Sequence, residues 1–170
     1  MKTSIWIRAL ALSIVAMTAC TFTACVSIRL KIPKPQRSKD MKFTPPPSTF
    51  EKTQSPDLDY SWRQKKNGNS ISVLSECHDT PDATLEQIQE GVIDEISDAQ
   101  PIEVDPITYN GVAAIHSIID GTVEGVKTEF ELVIFKKHDC TYILTYAGVT
   151  KAFGANQLDF ERFVKGFRVP

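Results

Sequence analysis

Apolar residues recur along this chain with two different spacings, and the changes between them mark out its elements. In "YSWRQKKNGNSISVLSEC" (residues 60–77) they alternate on either side of Asn67-Gly68. That pattern predicts two strands joined by a hairpin, because Asn-Gly adopts the tight turns that match strand twist. In "TLEQIQEGVIDEIS" (84–97) the spacing becomes helical: Leu85, Ile88, Val92 and Ile96 share one face, and Thr84 with Gln87 forms a capping-box pattern. The stretch "PIEVDPITYNGVAAIHSIIDGTVEGVKTEFELVIFKKHDCTYILTYAGV" (101–149) returns to strand spacing, interrupted by an Asn110-Gly111 turn, a glycine turn and a turn around His138. A second helix closes the chain in "NQLDFERFVKGF", where Phe160, Phe163, Val164 and Phe167 share a face. The order β-β-α-β-β-β-β-α predicts an α+β fold: a mainly antiparallel sheet of about six strands with helices packed on it, an α-β-α sandwich.

Register follows if one face of the last hairpin is apolar and the other polar. A three-residue turn at Lys137-His138-Asp139 pairs Lys136 with Cys140, Ile134 with Tyr142, Leu132 with Leu144 and Phe130 with Tyr146. Lys127, Glu129 and Glu131 then fall together on the opposite face. A two-residue turn pairs Glu131 with Tyr146 instead and mixes the faces, so the three-residue turn is the expectation. By the same alternation, His116 in "AAIHSII" falls opposite Ile115 and is expected on the solvated side of its strand.

Upstream of these periods the chain changes character. Lys2 and Arg8 precede the apolar run "ALALSIVAMTAC", which is too short for a membrane-spanning helix. The segment resembles a bacterial lipoprotein signal peptide, with residues 1–19 removed and Cys20 lipidated; Cys25, in "FTAC", is the alternative. This resemblance implies a covalent lipid (palmitate among its acyl chains) as the membrane anchor. With Thr21 rather than aspartate after Cys20, it also implies a periplasm-facing outer-membrane location.

Residues 20–56 hold six of the ten prolines and seven basic against two acidic residues, a net of +5. They are expected to act as a basic, extended tether that either lies on anionic lipid or is simply solvated, with an end able to pack on the domain because Phe43 and Phe50 are costly to leave in water. Residues 57–170, the predicted domain, carry ten basic and nineteen acidic residues, a net of −9. That balance excludes a nucleic-acid partner, which requires clustered positive charge.

Two cysteines remain in the domain, Cys77 and Cys140, each on the apolar parity of its strand near a strand end. In an exported protein such a pair reads first as a disulfide. The alternative is a metal site, since His78 and His138 flank the two cysteines and a Cys₂His₂ set suits zinc or copper. No C-x-x-C spacing supports it. No serine–histidine–aspartate spacing, phosphate-binding glycine loop or calcium-loop pattern appears, and no cofactor is expected beyond the lipid.

The Asn-Gly hairpin into "SISVLSEC", the helix "TLEQIQEGVIDEI", the strands from "GVAAIHSII" to "TYILTYAG" and the closing "AFGANQLDFERFVKGF" together resemble the PsbP-like superfamily across residues 58–169. The resemblance implies a binding or assembly module without catalytic machinery. The expected protein is therefore a non-enzymatic envelope lipoprotein whose domain binds another envelope protein. The alternative is a periplasmic metal-binding protein using Cys77, His78, His138 and Cys140.

Overall fold

The computed structural model describes residues 36–77 and 83–170. Seven strands form one antiparallel sheet: β1 (Phe50–Thr53), β2 (Tyr60–Gln64), β3 (Ser70–Cys77), β4 (Ser97–Tyr109), β5 (Val112–Val123), β6 (Val126–Lys137) and β7 (Cys140–Val149). Their spatial order is β1-β2-β3-β7-β6-β5-β4. Helix α1 (Leu85–Asp94) lies on one face and helix α2 (Gln157–Gly166) on the other. Thr84 caps α1 through the predicted reciprocal pair: its hydroxyl accepts from the Gln87 amide, and the Gln87 side chain accepts from the Thr84 amide.

The strand count exceeds the expected six because the presumed tether contributes a strand. β1 pairs with β2, and Phe50 is buried. Upstream of it, Phe43 packs within 4.7 Å of the Tyr60 ring, 5.6 Å of Trp62 and 5.5 Å of Phe163, and stacks on Phe167 at 5.7 Å. Main-chain bridges join Gln36 to Cys77 and Lys42 to Arg168. The Arg37 guanidinium donates to the carbonyls of Ser75 and Asp57. Residues 36–56, expected in the tether, thus include segments packed against the rest of the domain. Burying two phenylalanines outweighs the extended bias of a proline-rich segment, since aromatic pairs add about 0.5–1.5 kcal/mol each beyond area burial.

The last hairpin corrects the expected register. His138 and Asp139 both take positive φ, +51° and +59°, giving a two-residue turn that pairs Lys137 with Cys140. Phe135 therefore opposes Tyr142, Val133 opposes Leu144, and Glu131 opposes Tyr146. The expectation of one polar face fails because β6 is covered on both sides. Leu132 and Ile134 pack with Ile119 under α1, whereas Val133 and Phe135 join the core under α2. The same error misplaced His116: it does point away from Ile115, but towards the core that α2 covers, where its cross-strand neighbour is Val133.

The core under α2 is aromatic at its centre. Phe160, Phe163 and Phe167 from the helix end meet Trp62, Tyr142 and Tyr146 from the sheet. Asn69 is fully buried beside it. Its side-chain amide donates to the Tyr146 hydroxyl and the Ala152 carbonyl, both at 2.8 Å, while Tyr146 donates to the Phe153 carbonyl. Burial in this network pushes the Tyr146 hydroxyl up to about 12. Gly148 makes the network possible, because a Cβ there would collide with the Asn69 side-chain oxygen.

Candidate functional site

Both cysteines of the domain meet as the pattern of their strands predicts. Cys77 and Cys140 are directly opposed on β3 and β7 and joined as a disulfide, with Cα atoms 4.0 Å apart. The sulfurs are thus covalently occupied and are not thiolate ligands. His138, raised on the turn, brings Nε2 to 2.6 Å from the main-chain oxygen of Pro170. His78 lies outside the described residues, as do Cys20, Cys25 and the whole signal segment. Among the described residues no helix is long and apolar enough to cross a membrane.

A wide concavity lies elsewhere among the described residues. The long β4–β5 hairpin extends beyond the part of the sheet that α2 covers, and the gap between them is an open cleft of about 1170 Å³. Its walls are Ile107, Tyr109, Ile118 and Val133 from the sheet and Val164 and Val169 from the chain's end. Tyr109 fixes one end by donating to the carbonyls of Val164 (2.6 Å) and Phe167 (3.2 Å), and burial pushes its hydroxyl up to about 12. Lys137 donates to the Val169 carbonyl at 2.6 Å. These contacts tie the strands to the C-terminal end of α2 and the residues after it.

A polar cluster stands in the other end of the cleft. Glu131, on β6, is buried, with its side chain 7% exposed. One carboxylate oxygen lies 3.0 Å from His116 Nε2, and the other accepts from the Gln157 side chain at the start of α2, at 3.1 Å. On the far side of the imidazole, His116 Nδ1 is 3.8 Å from Glu103. Asp105 is the direct cross-strand neighbour of His116, and Glu103 lies one step further along the same face. The hydrogen bond to Glu131 raises the His116 pKa, opposed by burial and reinforced by the charges of Glu131, Glu103 and Asp105.

Both ring nitrogens of His116 therefore face carboxylates, and among the described residues no hydroxyl or thiol is paired with them in their place. What this arrangement does well is hold a positive charge: a proton on the imidazole, a metal ion or a cationic group in the cleft. Ligand atoms of Glu103, Asp105 and His116 all lie within 4.8 Å of one another.

Sequence reasoning missed this site, although its signal was present. His116 in "AAIHSII" and Glu131 in "FELVIF" are each the one ionisable residue of a mainly apolar run. Polar side chains in such positions are rarely buried unless paired. With the correct register, the two fall on neighbouring strands, on one face, one diagonal step apart.

No protein-family model and no curated protein matches the chain by sequence. Solved structures match it in shape. The solution structure of cyanobacterial PsbP (CyanoP) from Synechocystis sp. PCC 6803 aligns with a TM-score of 0.60 at 11% identity, covering 79% of this chain and 92% of that one. LpqN, involved in cell envelope biogenesis of Mycobacterium tuberculosis, aligns with a TM-score of 0.56 at 9% identity, covering 81% and 86%. The fold of residues 36–170 is PsbP-like.

Proposed function

We propose that this protein is a non-catalytic envelope module, anchored through lipid on Cys20, that binds an envelope protein partner in the cleft between the β4–β5 hairpin and α2. The observation that carries the reading is the cleft itself. It is wide, apolar along its walls, charged at its ends, and braced by hydrogen bonds from Tyr109 and Lys137 rather than left to collapse. Pre-formed apolar clefts with a few convergent polar groups are where proteins bind ligands. The fold shared with LpqN supports an envelope role, and the basic segment after Cys20 supports a membrane-proximal one.

With residues 36–56 folded onto the domain, sixteen residues, 20–35, remain to link it to a lipid on Cys20. At about 3.1 Å per residue in an extended proline-rich chain, the module would stay within roughly 50 Å of the lipid surface.

Site-specific photocrosslinking in cells tests the binding role. A photoreactive residue at Val164, in the cleft wall, is expected to give a discrete crosslinked band with an envelope protein, while one at Glu90 on exposed α1 gives none. Equal yields from both positions, or none from Val164, would sink the reading. Labelling with a clickable palmitate analogue tests the anchor: Cys20→Ser is expected to abolish incorporation, and retention of label would move the lipid to Cys25.

A further inference from the structure

We propose that Glu103, Asp105 and His116 form a site for a divalent transition-metal ion of the zinc class, with Glu131 as the residue that positions the imidazole. This goes beyond the partner-binding role and does not depend on it.

The first argument is the division of labour between the two ring nitrogens. Nε2 is taken by the Glu131 carboxylate at 3.0 Å, which fixes the proton on that nitrogen in the neutral ring. Nδ1 is then the lone-pair nitrogen, and it faces Glu103. Metal-binding histidines are characteristically held this way, by a carboxylate on the nitrogen that does not touch the metal. Glu131 is itself held from behind by Gln157 and buried, so the ring's orientation is set before any ion arrives.

Position is the second argument. Strand pairing places Asp105 opposite His116 and Glu103 opposite Ile118, so all three donors project from one face of two adjacent strands. Their ligand atoms lie within 4.8 Å of one another, and both carboxylates belong to exposed side chains free to close the remaining distance to bonds of about 2 Å.

Charge supplies the third. Three carboxylates surround one imidazole, and among the described residues no lysine or arginine pairs with Glu103 or Asp105. A dication supplies the missing positive charge. One imidazole with two carboxylates suits zinc and its neighbours, whereas calcium and magnesium take oxygen donors alone. Three protein ligands leave a fourth position open, on the cleft side, for water or for a donor group on whatever occupies the cleft.

Titration of the full-length, detergent-solubilised, chelator-treated protein with Zn²⁺ by calorimetry tests the proposal. One ion per chain is expected, with binding weakened at least about tenfold by Asp105→Asn and at least about a hundredfold by His116→Ala. His138→Ala should leave affinity unchanged. Asp105→Asn lies on an exposed edge, so it keeps the test valid if His116→Ala misfolds. Glu131→Gln is expected to weaken binding by about 10–100-fold, the usual cost of losing such a carboxylate. In long-range ¹⁵N spectra, Zn²⁺ should shift His116 Nδ1 while the proton stays on Nε2, and Glu131→Gln should mix the two tautomers. Absence of stoichiometric binding, or binding that survives Asp105→Asn or depends on His138, would overturn the site while leaving the crosslinking result untouched.

Discussion

The sheet face beneath α2 has two ends built to opposite rules. Towards β1, β2 and β3 it is sealed: Phe43, Trp62, Phe163 and Phe167 interlock, and the Cys77–Cys140 disulfide ties the edge of β3 to β7. Towards β4 and β5 the same face stays open, with Glu131 and His116 where aromatic rings stand at the other end. One end holds the fold together and the other is free to bind. Substitutions at the sealed end should therefore lower stability without changing the chemistry of the cleft, and substitutions at the open end should do the reverse.

The strongest way to break this contrast is Phe167→Ala. Phe167 is fully buried where α2 ends and packs against Phe43, Phe135, Tyr142 and Phe163. Removing a large core aromatic costs about 3–5 kcal/mol through lost burial and the cavity left behind. Chemical denaturation should show that loss. A cost below about 1 kcal/mol would mean that the sealed end is not what holds the domain.

Breaking the disulfide should rank next. It closes a separation of 63 residues, and the chain-entropy relation gives about 4 kcal/mol for such a loop, with measured values commonly lower. Urea unfolding with and without reductant, on the same protein, should give a difference of about 2–4 kcal/mol. Zinc binding should be unaffected, because Cys77 and Cys140 lie at the sealed end.

Gly148→Ala sharpens the contrast at smaller scale. The added methyl group would collide with the Asn69 side chain, which is fully buried and cannot swing into solvent. Overpacking of this kind costs about 1–3 kcal/mol. It should also loosen Tyr146, visible as a fall in the tyrosine's pKa from about 12, since burial is what raises it.

The two ends were not equally legible in the sequence. Helix α1, its Thr84 cap, the Asn67-Gly68 hairpin and the aromatic stripe of α2 all follow from local periods and turn chemistry, which act over a few residues. Cys77 and Cys140 were found because each kept the apolar parity of its own strand. What failed was everything that depends on both faces of a strand being covered. Glu131 and His116 were assigned to solvent because a strand with one dry face was assumed, and β6 has two. Phe43 and Phe50 could not announce their docking sites, since those are made by residues such as Trp62 and Phe163, distant in sequence. The cleft was invisible for a related reason: its lining comes from β4, β5, β6, α2 and the residues after α2, which only the tertiary arrangement brings together.

Glu131→Gln should produce the smallest change, and it carries the sharpest sign. In the folded state His116 has a raised pKa, owing first to its hydrogen bond with Glu131, with the Glu103 and Asp105 charges adding to it. Its contribution to stability is therefore fully present below the unfolded histidine value of about 6.5 and is lost as pH rises through the folded value. With metal removed by chelator, the wild-type protein should lose this increment as pH rises above the unfolded value, and Glu131→Gln should flatten that part of the profile. Once the imidazole is neutral in both proteins, glutamine can still meet it and Gln157. The two should then differ by less than about 1 kcal/mol, the scale of an ordinary net hydrogen bond. Equal pH profiles for the two proteins would mean that Glu131 does not control His116. A large loss that persists at alkaline pH would mean that the open end carries the fold after all, and the contrast between the two ends would fall.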